Sequence, residues 1–546
     1  MTEKDWDVVV VGSGAGGAAT AYGLCERGLS VLILEAGPRF VPARDYGQAQ
    51  VDWELRDFPE KVGSKTKVVM RPGQALLRDE PILATVNRGT GRQVIGKTRE
   101  MGQYHHVRGV GGSTLAFTGE AHRLHPHAMR MRSRFGVAAD WPIDYAELER
   151  FYVRAEEIVG VAGPAEQGPR WRSNPFPMPP HPLSYGARTL GQGLSALGLQ
   201  WEANSRAAVS EPHHARPPCN YCGACQMGCM PGDKGSADVT FIDAALKTGR
   251  CTVYAGSPVV RIEAGAGDRI NSILVGRADG SLERIRTPNL VLAAGAIETP
   301  RLLLASGNLG NESGHLGLNF METVAVAITA LHPKPQHARR GLPNDAICWN
   351  FNAPDAIPGV VGGCRIYYAS AEIGIMGLST FACNAIAGWG PEHAREMQQT
   401  WGHTLAIAAI GENLPNKISR VDLDPVERDR FGMPLARIAS YITTSETSRL
   451  RFMSSKCREI LEASGASEIV ECLTTWDIFN STHVFGTCRM GANPAMSVVN
   501  AELRSHRWRN LWITDASVFP SSGGGEGPAL TIQALALRAA ATIGAV

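Results

Sequence analysis

Short, unbroken runs of aliphatic residues recur along the chain, and most of them end in a glycine-containing turn. Residues 7–11 (DVVVV) form the first run, and residues 29–37 (LSVLILEAG) contain the second. A continuous apolar run favours a strand that is buried on both faces of a parallel sheet. The stretch between the two runs is rich in alanine and favours a helix that ends near Gly28. The pattern therefore predicts a βαβ unit within about thirty residues.

Later segments repeat the strand pattern or change to helical spacing. Further strands are predicted at 251–256 (CTVYAG), 259–265 (VVRIEAG), 289–295 (NLVLAAG) and 510–517 (NLWITDAS). Helices are predicted at 141–160, 296–307 and 530–545. Strand-like and polar segments alternate between about Met321 and Val470, which suits an antiparallel sheet in a second domain.

The turn after the first strand has the spacing of a dinucleotide-binding loop. Gly12, Gly14 and Gly17 form GxGxxG, and Glu35 lies at the end of the second strand. The first glycine allows a tight turn, the second lets the backbone approach a pyrophosphate, and the third lets the helix pack closely on the strand. The pyrophosphate would bind at the helix N-terminus, and Glu35 would accept hydrogen bonds from the ribose hydroxyls. This unit predicts a site for FAD or NAD.

The composition narrows the range of functions. The 546 residues include 54 basic and 52 acidic side chains, for a net charge of +2, which argues against nucleic-acid binding or attachment to a membrane surface. No stretch is long and apolar enough to span a membrane. The N-terminus lacks the basic start, apolar run and cleavage site of a secretory signal. We therefore expect a cytoplasmic protein, unless a signal-bearing partner exports it.

Five segments, spread from one end of the chain to the other, resemble one family. They are the N-terminal βαβ unit, RGVGGST at 108–114, AAGAIETPRLL at 293–303, STHVFGTCRMG at 481–491 and the C-terminal TDASVFP…PALTIQALALR from Thr514. Their order and spacing resemble those of the glucose–methanol–choline oxidoreductases. Residues 109–123 and 141–157 are similar to the branch of bacterial sugar and gluconate dehydrogenases. The resemblance implies an enzyme that binds FAD and oxidises an alcohol group.

The resemblance also implies a fold. We expect an α/β architecture in which a Rossmann-like FAD-binding domain is assembled from discontinuous segments, beside a substrate domain with a largely antiparallel sheet flanked by helices. The FAD-binding segments would be 1–150, 206–320 with its cysteine-rich loop, and 476–546. A connector and the first substrate-domain elements would occupy 151–205, and the substrate-binding domain 321–475.

The cofactor-binding positions of the family carry over to this chain. Besides the glycine loop, the resemblance implies FAD contacts from Gly111, Gly112, Ser113, Val260, Ala294, Gly295, Asp515, Ala516, Leu530 and Thr531. Some relatives attach the flavin covalently through a histidine just after GGST. This chain reads GGSTLAFTG at that place, so we expect non-covalent FAD. His105 and His106 would then lie at the surface or in an outer layer around the site.

His483 lies where the family carries its catalytic histidine. Removal of a hydride from an alcohol needs a base for the hydroxyl proton, and histidine titrates close to the working pH. Relatives usually carry a second polar residue, His or Asn, directly before the proline of the last motif, but this chain has Gly527. A water, Asn480 or Glu526 could replace it. Asn480 could orient a hydroxyl, whereas Glu526 would repel a forming alkoxide.

Four cysteines crowd into one loop. Cys219, Cys222, Cys225 and Cys229 have the spacing C-x2-C-x2-C-x3-C of a bacterial ferredoxin segment. Sugar and polyol dehydrogenases of the family that pass electrons to a cytochrome subunit resemble this loop, with cluster ligands at the first, third and fourth cysteine. Long-chain alcohol and cholesterol oxidases resemble it too, through CGxCxxGCxxGxK at 222–234, and need no cluster. The loop holds either an iron–sulfur cluster or plain thiols.

The resemblance favours a sugar, glycoside or polyol as substrate, with the hydride passing to the flavin and the proton to His483. Long-chain or steroid alcohols are the alternative that the cysteine pattern suggests. Reduced flavin would pass its electrons to oxygen, a quinone or a redox protein, and a small subunit or cytochrome is a further expected partner. The family also contains flavin-dependent lyases that cleave cyanohydrins. The missing second polar residue therefore keeps a reaction without net redox open.

Overall fold

A computed structural model describes the protein over most of its length. The described residues are 6–46, 67–70, 81–89, 91–92, 104, 106–165, 170–338, 341–369, 378–476 and 482–543. Within these ranges the strands are β1 (Val8–Val11), β2 (Val31–Leu34), β3 (Lys67–Met70), β4 (Val86–Asn87), β5 (Gly91–Arg92), β6 (Glu202–Ala203), β7 (Cys251–Tyr254), β8 (Val259–Ala264), β9 (Ile270–Gly276), β10 (Leu282–Arg286), β11 (Leu290–Leu292), β12 (Val324–Leu331), β13 (Ala346–Cys348), β14 (Cys364–Tyr368), β15 (Thr404–Gly411), β16 (Arg420–Arg428), β17 (Pro434–Ser440), β18 (Glu468–Thr474) and β19 (Leu511–Ile513). The α-helices are α1 (Ala15–Glu26), α2 (Pro42–Asp45), α3 (Met131–Phe135), α4 (Tyr145–Val159), α5 (Tyr185–Ala196), α6 (Asp243–Lys247), α7 (Gly295–Ala305), α8 (Leu378–Asn384), α9 (Gly390–Thr400), α10 (Thr444–Ala463) and α11 (Ala529–Ala540).

The N-terminal βαβ unit lies at the centre of a five-stranded parallel sheet with the order β19-β11-β1-β2-β7. Every residue of β1 and β2 is buried, as their unbroken apolar runs predict. Gly28, at φ +87°, follows α1 and lets the chain turn into β2. Helix α1 packs against the last described helix, α11, so two segments far apart in sequence lie together beside this sheet. The predicted strand–helix–strand unit is confirmed.

An eight-stranded sheet forms the second main layer, with the order β5-β4-β18-β12-β15-β14-β13-β6. All its pairings are antiparallel, and β12 and β15 pair from Val324 opposite Gly411 to Leu331 opposite Thr404. Helix α10 packs on β12, β14 and β15, with α5 beside it, and covers one face. Because side chains alternate along a strand, the other face carries Ala325 and Ala327. The predicted antiparallel sheet flanked by helices is confirmed.

Two three-stranded sheets, β10-β9-β8 and β16-β17-β3, complete the described part. Strands β16 and β17 fall within the range predicted for the substrate domain, 321–475, yet their described pairings join them to each other and to β3. Conversely, the large sheet takes β4 and β5 from the predicted N-terminal range and β6 from the connector. The chain passes repeatedly between the sheets, and the domain limits stay a prediction.

Candidate active site

The carboxyl ends of the parallel strands open into one large cavity. Parallel strands end at the same edge of their sheet, so the segments after β1, β2, β11 and β19 come together there. The cavity has a volume of about 990 Å³ and reaches the face of the eight-stranded sheet that carries Ala325 and Ala327. The sequence-predicted residues that line it are Gly12, Gly14, Glu35, Gly112, Ser113, Val260, Ala294, Gly295, His483, Asp515 and Ala516.

Other predicted site residues are placed elsewhere. Those outside the lining are Gly17, Gly111, Leu530 and Thr531. A Cβ atom on Gly17 would lie 2.0 Å from the carbonyl oxygen of Gly12, so this glycine allows the close helix–strand packing predicted for it. The Thr531 hydroxyl shares a 2.8 Å hydrogen bond with the Tyr152 hydroxyl behind the wall. Asn480 lies outside the described residues.

The first turn of α1 presents backbone N–H groups to the cavity. Its N-cap, Gly14, makes no side-chain capping bond, and its first turn holds no acidic residue. Such uncapped N–H groups, together with the helix dipole, attract an anion. The approach to them is kept open by glycines, because a Cβ atom on Gly112 would lie 2.7 Å from the Cα of Gly14. This cradle fits the pyrophosphate of the predicted FAD.

Glu35 is held in place at the end of β2 by three hydrogen bonds. The N–H and the hydroxyl of Ser13 donate to its Oε2 at 3.1 and 2.6 Å, and the N–H of Gly37 donates to its Oε1 at 2.9 Å. Burial raises the pKa of Glu35, and these hydrogen bonds oppose that shift. The carboxyl group is fixed at the cavity wall, so the predicted ribose contact requires no movement of the chain.

Asp515 connects the end of β19 to the start of α7. Its Oδ2 accepts hydrogen bonds from the Gly295 N–H at 2.9 Å and the Thr299 hydroxyl at 2.6 Å, and its Oδ1 accepts one from the Ser517 N–H at 2.9 Å. A carboxylate at a helix N-terminus is stabilised by the helix dipole. The contact therefore fixes two segments of the cofactor wall side by side.

His483 lines the cavity, with its backbone held by Thr323. The His483 N–H donates to the Thr323 hydroxyl at 3.0 Å, and that hydroxyl donates to the His483 carbonyl at 3.2 Å. Desolvation, together with the positive charge of Arg365, lowers the pKa of the His483 imidazole to about 4, while the Glu120 carboxylate opposes the shift. The imidazole is therefore neutral at pH 7 and can accept a proton.

Gly527, the residue without the expected polar side chain, also lines the cavity. Its N–H donates to Nδ1 of His122 at 2.9 Å, and Nε2 of His122 lies 2.7 Å from Oδ1 of Asn204. These two partners assign the proton to Nε2, because Nδ1 must accept. Burial lowers the pKa of His122 to about 3, so its imidazole is neutral.

A buried ion pair lies beside Gly527. Nη1 and Nη2 of Arg365 both donate to the Glu120 carboxylate, the second to Oε2 at 2.6 Å, and Nε of Arg365 donates to the Gly525 carbonyl at 2.5 Å. Nδ2 of Asn204 donates to Oε1 of Glu120 at 3.0 Å. Burial alone would raise the pKa of Glu120, but the Arg365 guanidinium brings it well below its usual value. Glu120 is therefore ionised at the cavity wall.

Sequence reasoning missed this group. Glu120 and His122 lie within the segment 109–123 that resembles the sugar dehydrogenase branch. Two polar residues a few positions after the glycines of that segment are the signal that could have identified them. Arg365 carries no motif signal, because it lies in an ordinary buried strand. Asn344 and Tyr367 also line the cavity without a motif to identify them.

Two other sequence predictions are resolved by side-chain placement. Oε1 of Glu526 accepts hydrogen bonds from Arg170 at 2.9 Å and from the His125 N–H at 3.1 Å, and Glu526 does not line the cavity. It therefore does not replace the missing side chain at Gly527. His106 does line the cavity, so its expected outer position is wrong. His105 lies outside the described residues.

The cysteine loop is tied to the flavin-loop segment by a buried lysine. Nζ of Lys234 donates to the carbonyls of Leu115, Phe117 and Cys225 at 2.8, 3.0 and 2.5 Å. Sγ of Cys229 donates to Oδ1 of Asp233 at 3.3 Å. Cys219, Cys222, Cys225 and Cys229 are free thiols. Among the described residues, no group of three or more His, Cys, Asp or Glu is arranged to hold a metal ion, so an iron–sulfur cluster finds no support here.

We expect Gly112→Ala to lose FAD. The added methyl group would meet the Gly14 backbone at 2.7 Å and close the space between the two glycine loops. The measurement is the flavin-to-protein ratio after purification and the Kd for added FAD. Gly136→Ala is the matched control, because Gly136 also has a positive φ, +75°, but no atom within 4 Å of its Cβ position. Equal FAD affinity in the two variants would contradict the assignment of the cradle.

Comparison with known proteins agrees with this geometry. The family profile described as GMC oxidoreductase matches residues 181–325 with its N-terminal part and 415–536 with its C-terminal part. A profile described as NAD(P)-binding Rossmann-like domain matches residues 10–58. The first glycine loop, with Gly12 and Gly14, and the C-terminal segment of the cavity wall therefore fall within regions shared with known families.

Named relatives match along the whole chain. The fructose dehydrogenase large subunit of Gluconobacter japonicus is 30% identical, over 98% of this chain and 97% of that protein. A 2-methyl-1,2-propanediol dehydrogenase of Mycolicibacterium austroafricanum is 27% identical over 98% and 94%, and a gluconate 2-dehydrogenase flavoprotein of Pantoea cypripedii is 26% identical over 99% and 94%.

Solved structures share the fold. The crystal structure of pyridoxine 4-oxidase from Mesorbium loti superposes with a TM-score of 0.64 over 98% of this chain and 99% of that one, at 18% identity. The shared fold, the two profile matches and the full-length relatives agree with one another. This chain belongs to the GMC oxidoreductase family and is an FAD-dependent enzyme that acts on CH–OH groups.

Proposed function

We propose that the enzyme oxidises an alcohol group of a sugar, glycoside or polyol, with His483 as the base. The observation that carries this proposal is the position of a neutral histidine in the same cavity as the dinucleotide cradle. The cradle formed by Gly12, Gly14 and Gly112 would hold FAD, which supplies the hydride acceptor when bound. The substrate would lie between that cofactor and His483.

His483 would take the hydroxyl proton as the C–H bond of the substrate breaks. A base with a pKa of about 4 is neutral over the whole physiological range when substrate arrives, and it readily releases the proton to solvent after each turnover. The Thr323 hydroxyl contacts both the N–H and the carbonyl of His483 and so fixes the backbone from which the imidazole extends.

The substrate side of the cavity suits a hydroxyl-rich molecule. Ala325 and Ala327 have small side chains, so this face of the eight-stranded sheet leaves space in the cavity. Polar residues also line the wall, namely Asn344, Tyr367 and Thr475. Polar groups that are paired by substrate hydroxyls reject apolar analogues strongly, because an analogue leaves them desolvated and unpaired. The relatives named as fructose, gluconate and diol dehydrogenases support this substrate class. Long-chain and steroid alcohols are the weaker alternative.

Electrons would leave through a protein partner or a quinone, with oxygen as the alternative acceptor. The relative named as a dehydrogenase large subunit supports a further subunit in this enzyme as well. Within the described ranges, no helix is both long and apolar enough to cross a bilayer.

We expect anaerobic addition of D-fructose, D-gluconate or 2-methyl-1,2-propanediol to bleach the flavin absorbance of the wild-type enzyme. His483→Ala should retain FAD but slow this reduction by about 10²–10⁴-fold, because the proton acceptor is gone. Stopped-flow absorbance measures both. 1-Dodecanol and cholesterol test the apolar alternative in the same assay. Cleavage of a cyanohydrin without bleaching would identify a lyase and reject alcohol oxidation.

The rate of flavin reduction should fall at low pH with an apparent pKa well below the ordinary histidine value. The folded-state pKa of His483 is lowered to about 4, so the imidazole remains an active base above this pH and becomes protonated below it. A pH profile of the reduction rate at low substrate concentration measures this apparent pKa. A rate that already falls at pH 6.5 or higher would show that His483 is more exposed or is not the base.

We propose that FAD is held without a covalent bond and that the four clustered cysteines are structural thiols. Acid precipitation should then release all the flavin into the supernatant, and iron should be absent from the purified protein. If the flavin instead stays with the precipitated protein, His106→Ala tests whether His106 carries a covalent bond to it, because His106 lines the cavity. Stoichiometric iron with a broad absorbance beneath the flavin bands would reassign Cys219, Cys225 and Cys229 as cluster ligands.

A further inference from the structure

The space that a side chain at position 527 would occupy is filled by another segment of the site. A Cβ atom on Gly527 would lie 3.2 Å from the Cβ of Glu120 and 3.5 Å from Nδ1 of His122. The first distance is closer than ordinary van der Waals contact, so a larger residue would displace the Glu120 segment. Glu120 and His122 are therefore the groups positioned to take over the function of the missing residue.

His122 cannot face the substrate. Its Nδ1 accepts a hydrogen bond from the Gly527 N–H, and its Nε2 donates to Asn204. An imidazole has two nitrogen atoms, and both are engaged. His122 also lies outside the cavity lining, behind Gly527. It is a positioning residue that holds the backbone of the C-terminal segment.

Glu120 does face the cavity and keeps hydrogen-bonding capacity there. It lines the wall, and 8% of its side chain is exposed, whereas that of Arg365 is fully buried. A carboxylate has about four acceptor sites. Among the described residues, three donors reach it: two from Arg365, and Nδ2 of Asn204 on Oε1. Within the described ranges, Oε2 thus receives one donor and keeps a further acceptor site.

We propose that Oε2 of Glu120 accepts a hydrogen bond from a second hydroxyl of the substrate while the hydroxyl to be oxidised lies at His483. The enzyme would thus select donors that carry two neighbouring hydroxyls, and Glu120 would be a substrate-binding residue. This inference rests on the proposed function, since it specifies the substrate class of the same site.

The charge of the pair permits this role beside a reacting oxygen. An isolated carboxylate would repel the negative charge that develops as the hydroxyl proton leaves. Here the bidentate contact with Arg365 neutralises Glu120 within the wall. An ionised carboxylate can only accept, so a substrate without the second hydroxyl leaves a desolvated acceptor unpaired. Loss of a hydrogen bond to a charged group reduces reactivity about tenfold or more.

Two alcohols that differ by a single hydroxyl test the inference. The probes are 2-methyl-1,2-propanediol and 2-methyl-1-propanol, compared by the second-order rate constant of anaerobic flavin reduction. We expect the wild type to prefer the diol about tenfold or more, and Glu120→Gln to lose most of that preference. If neither probe is oxidised, both are titrated as competitors of the best sugar donor, and the ratio of their inhibition constants is compared instead.

Two further variants keep the result interpretable. Glu120→Leu combined with Arg365→Met removes the acceptor without leaving an unpaired buried charge, and covers the case in which Glu120→Gln does not fold. Glu156→Gln is the matched control, because Glu156 is also a buried carboxylate, is paired in bidentate fashion with Arg123 at 2.8 and 2.9 Å, and lies outside the cavity lining. It should retain the full diol preference.

The outcomes separate this inference from the proposed function. A diol preference that persists in the Glu120 variants, at normal FAD content, would overturn the role of Glu120 and leave alcohol oxidation intact. The absence of any preference in the wild type would overturn it as well. Failure of every alcohol and sugar to reduce the wild-type flavin would reject the proposed function itself.

Discussion

The contact between Arg365 and Glu120 joins the three parts of the chain that enclose the substrate side of the cavity. Arg365 lies in β14 of the eight-stranded sheet, Glu120 follows the glycine loop of the cofactor side, and the guanidinium also donates to the Gly525 carbonyl of the C-terminal segment. Removing one partner of a buried pair costs about 3–5 kcal/mol, because the other charge is left uncompensated. The eight-stranded sheet is therefore joined to the Glu120 segment and to the C-terminal segment through a buried charge pair.

The same pair acts on the imidazole of His483, the proposed base. Desolvation is the main cause of its lowered pKa, the Arg365 charge adds to that shift, and the Glu120 carboxylate opposes it. A buried imidazole that stays neutral is a weak base. Such a base is effective when it receives the hydroxyl proton in the same step that breaks the C–H bond, since no free alkoxide then has to form. With His483 in its proposed role, this weak basicity favours concerted removal of proton and hydride over prior ionisation of the alcohol.

The parts that could be predicted from the sequence are those with a local signal. The βαβ unit follows from two apolar runs and a glycine spacing, and His483 from a short C-terminal motif. The contact between Arg365 and Glu120, beside Gly527, has no such signal. The two residues are 245 positions apart, and the local pattern of neither segment specifies that they meet. His106 was misplaced for the same reason: exposure in a glycine-rich loop depends on what packs over it. The strands β16 and β17 have ordinary strand patterns, and a pattern does not specify the partner strand.

The last segment of the chain completes both halves of the site. It supplies β19 to the parallel sheet, the Asp515 carboxylate to the start of α7, and the Gly525 and Gly527 backbone to the substrate wall. Its contacts are among the longest in sequence, such as the bond between Gly527 and His122, 405 residues apart. Contacts of this kind carry a loop-closure entropy cost that other interactions must offset. Because the cofactor cradle and the substrate wall share this segment, neither is complete before it docks. Binding of FAD to the folded state therefore stabilises the substrate wall as well, through the same docked segment.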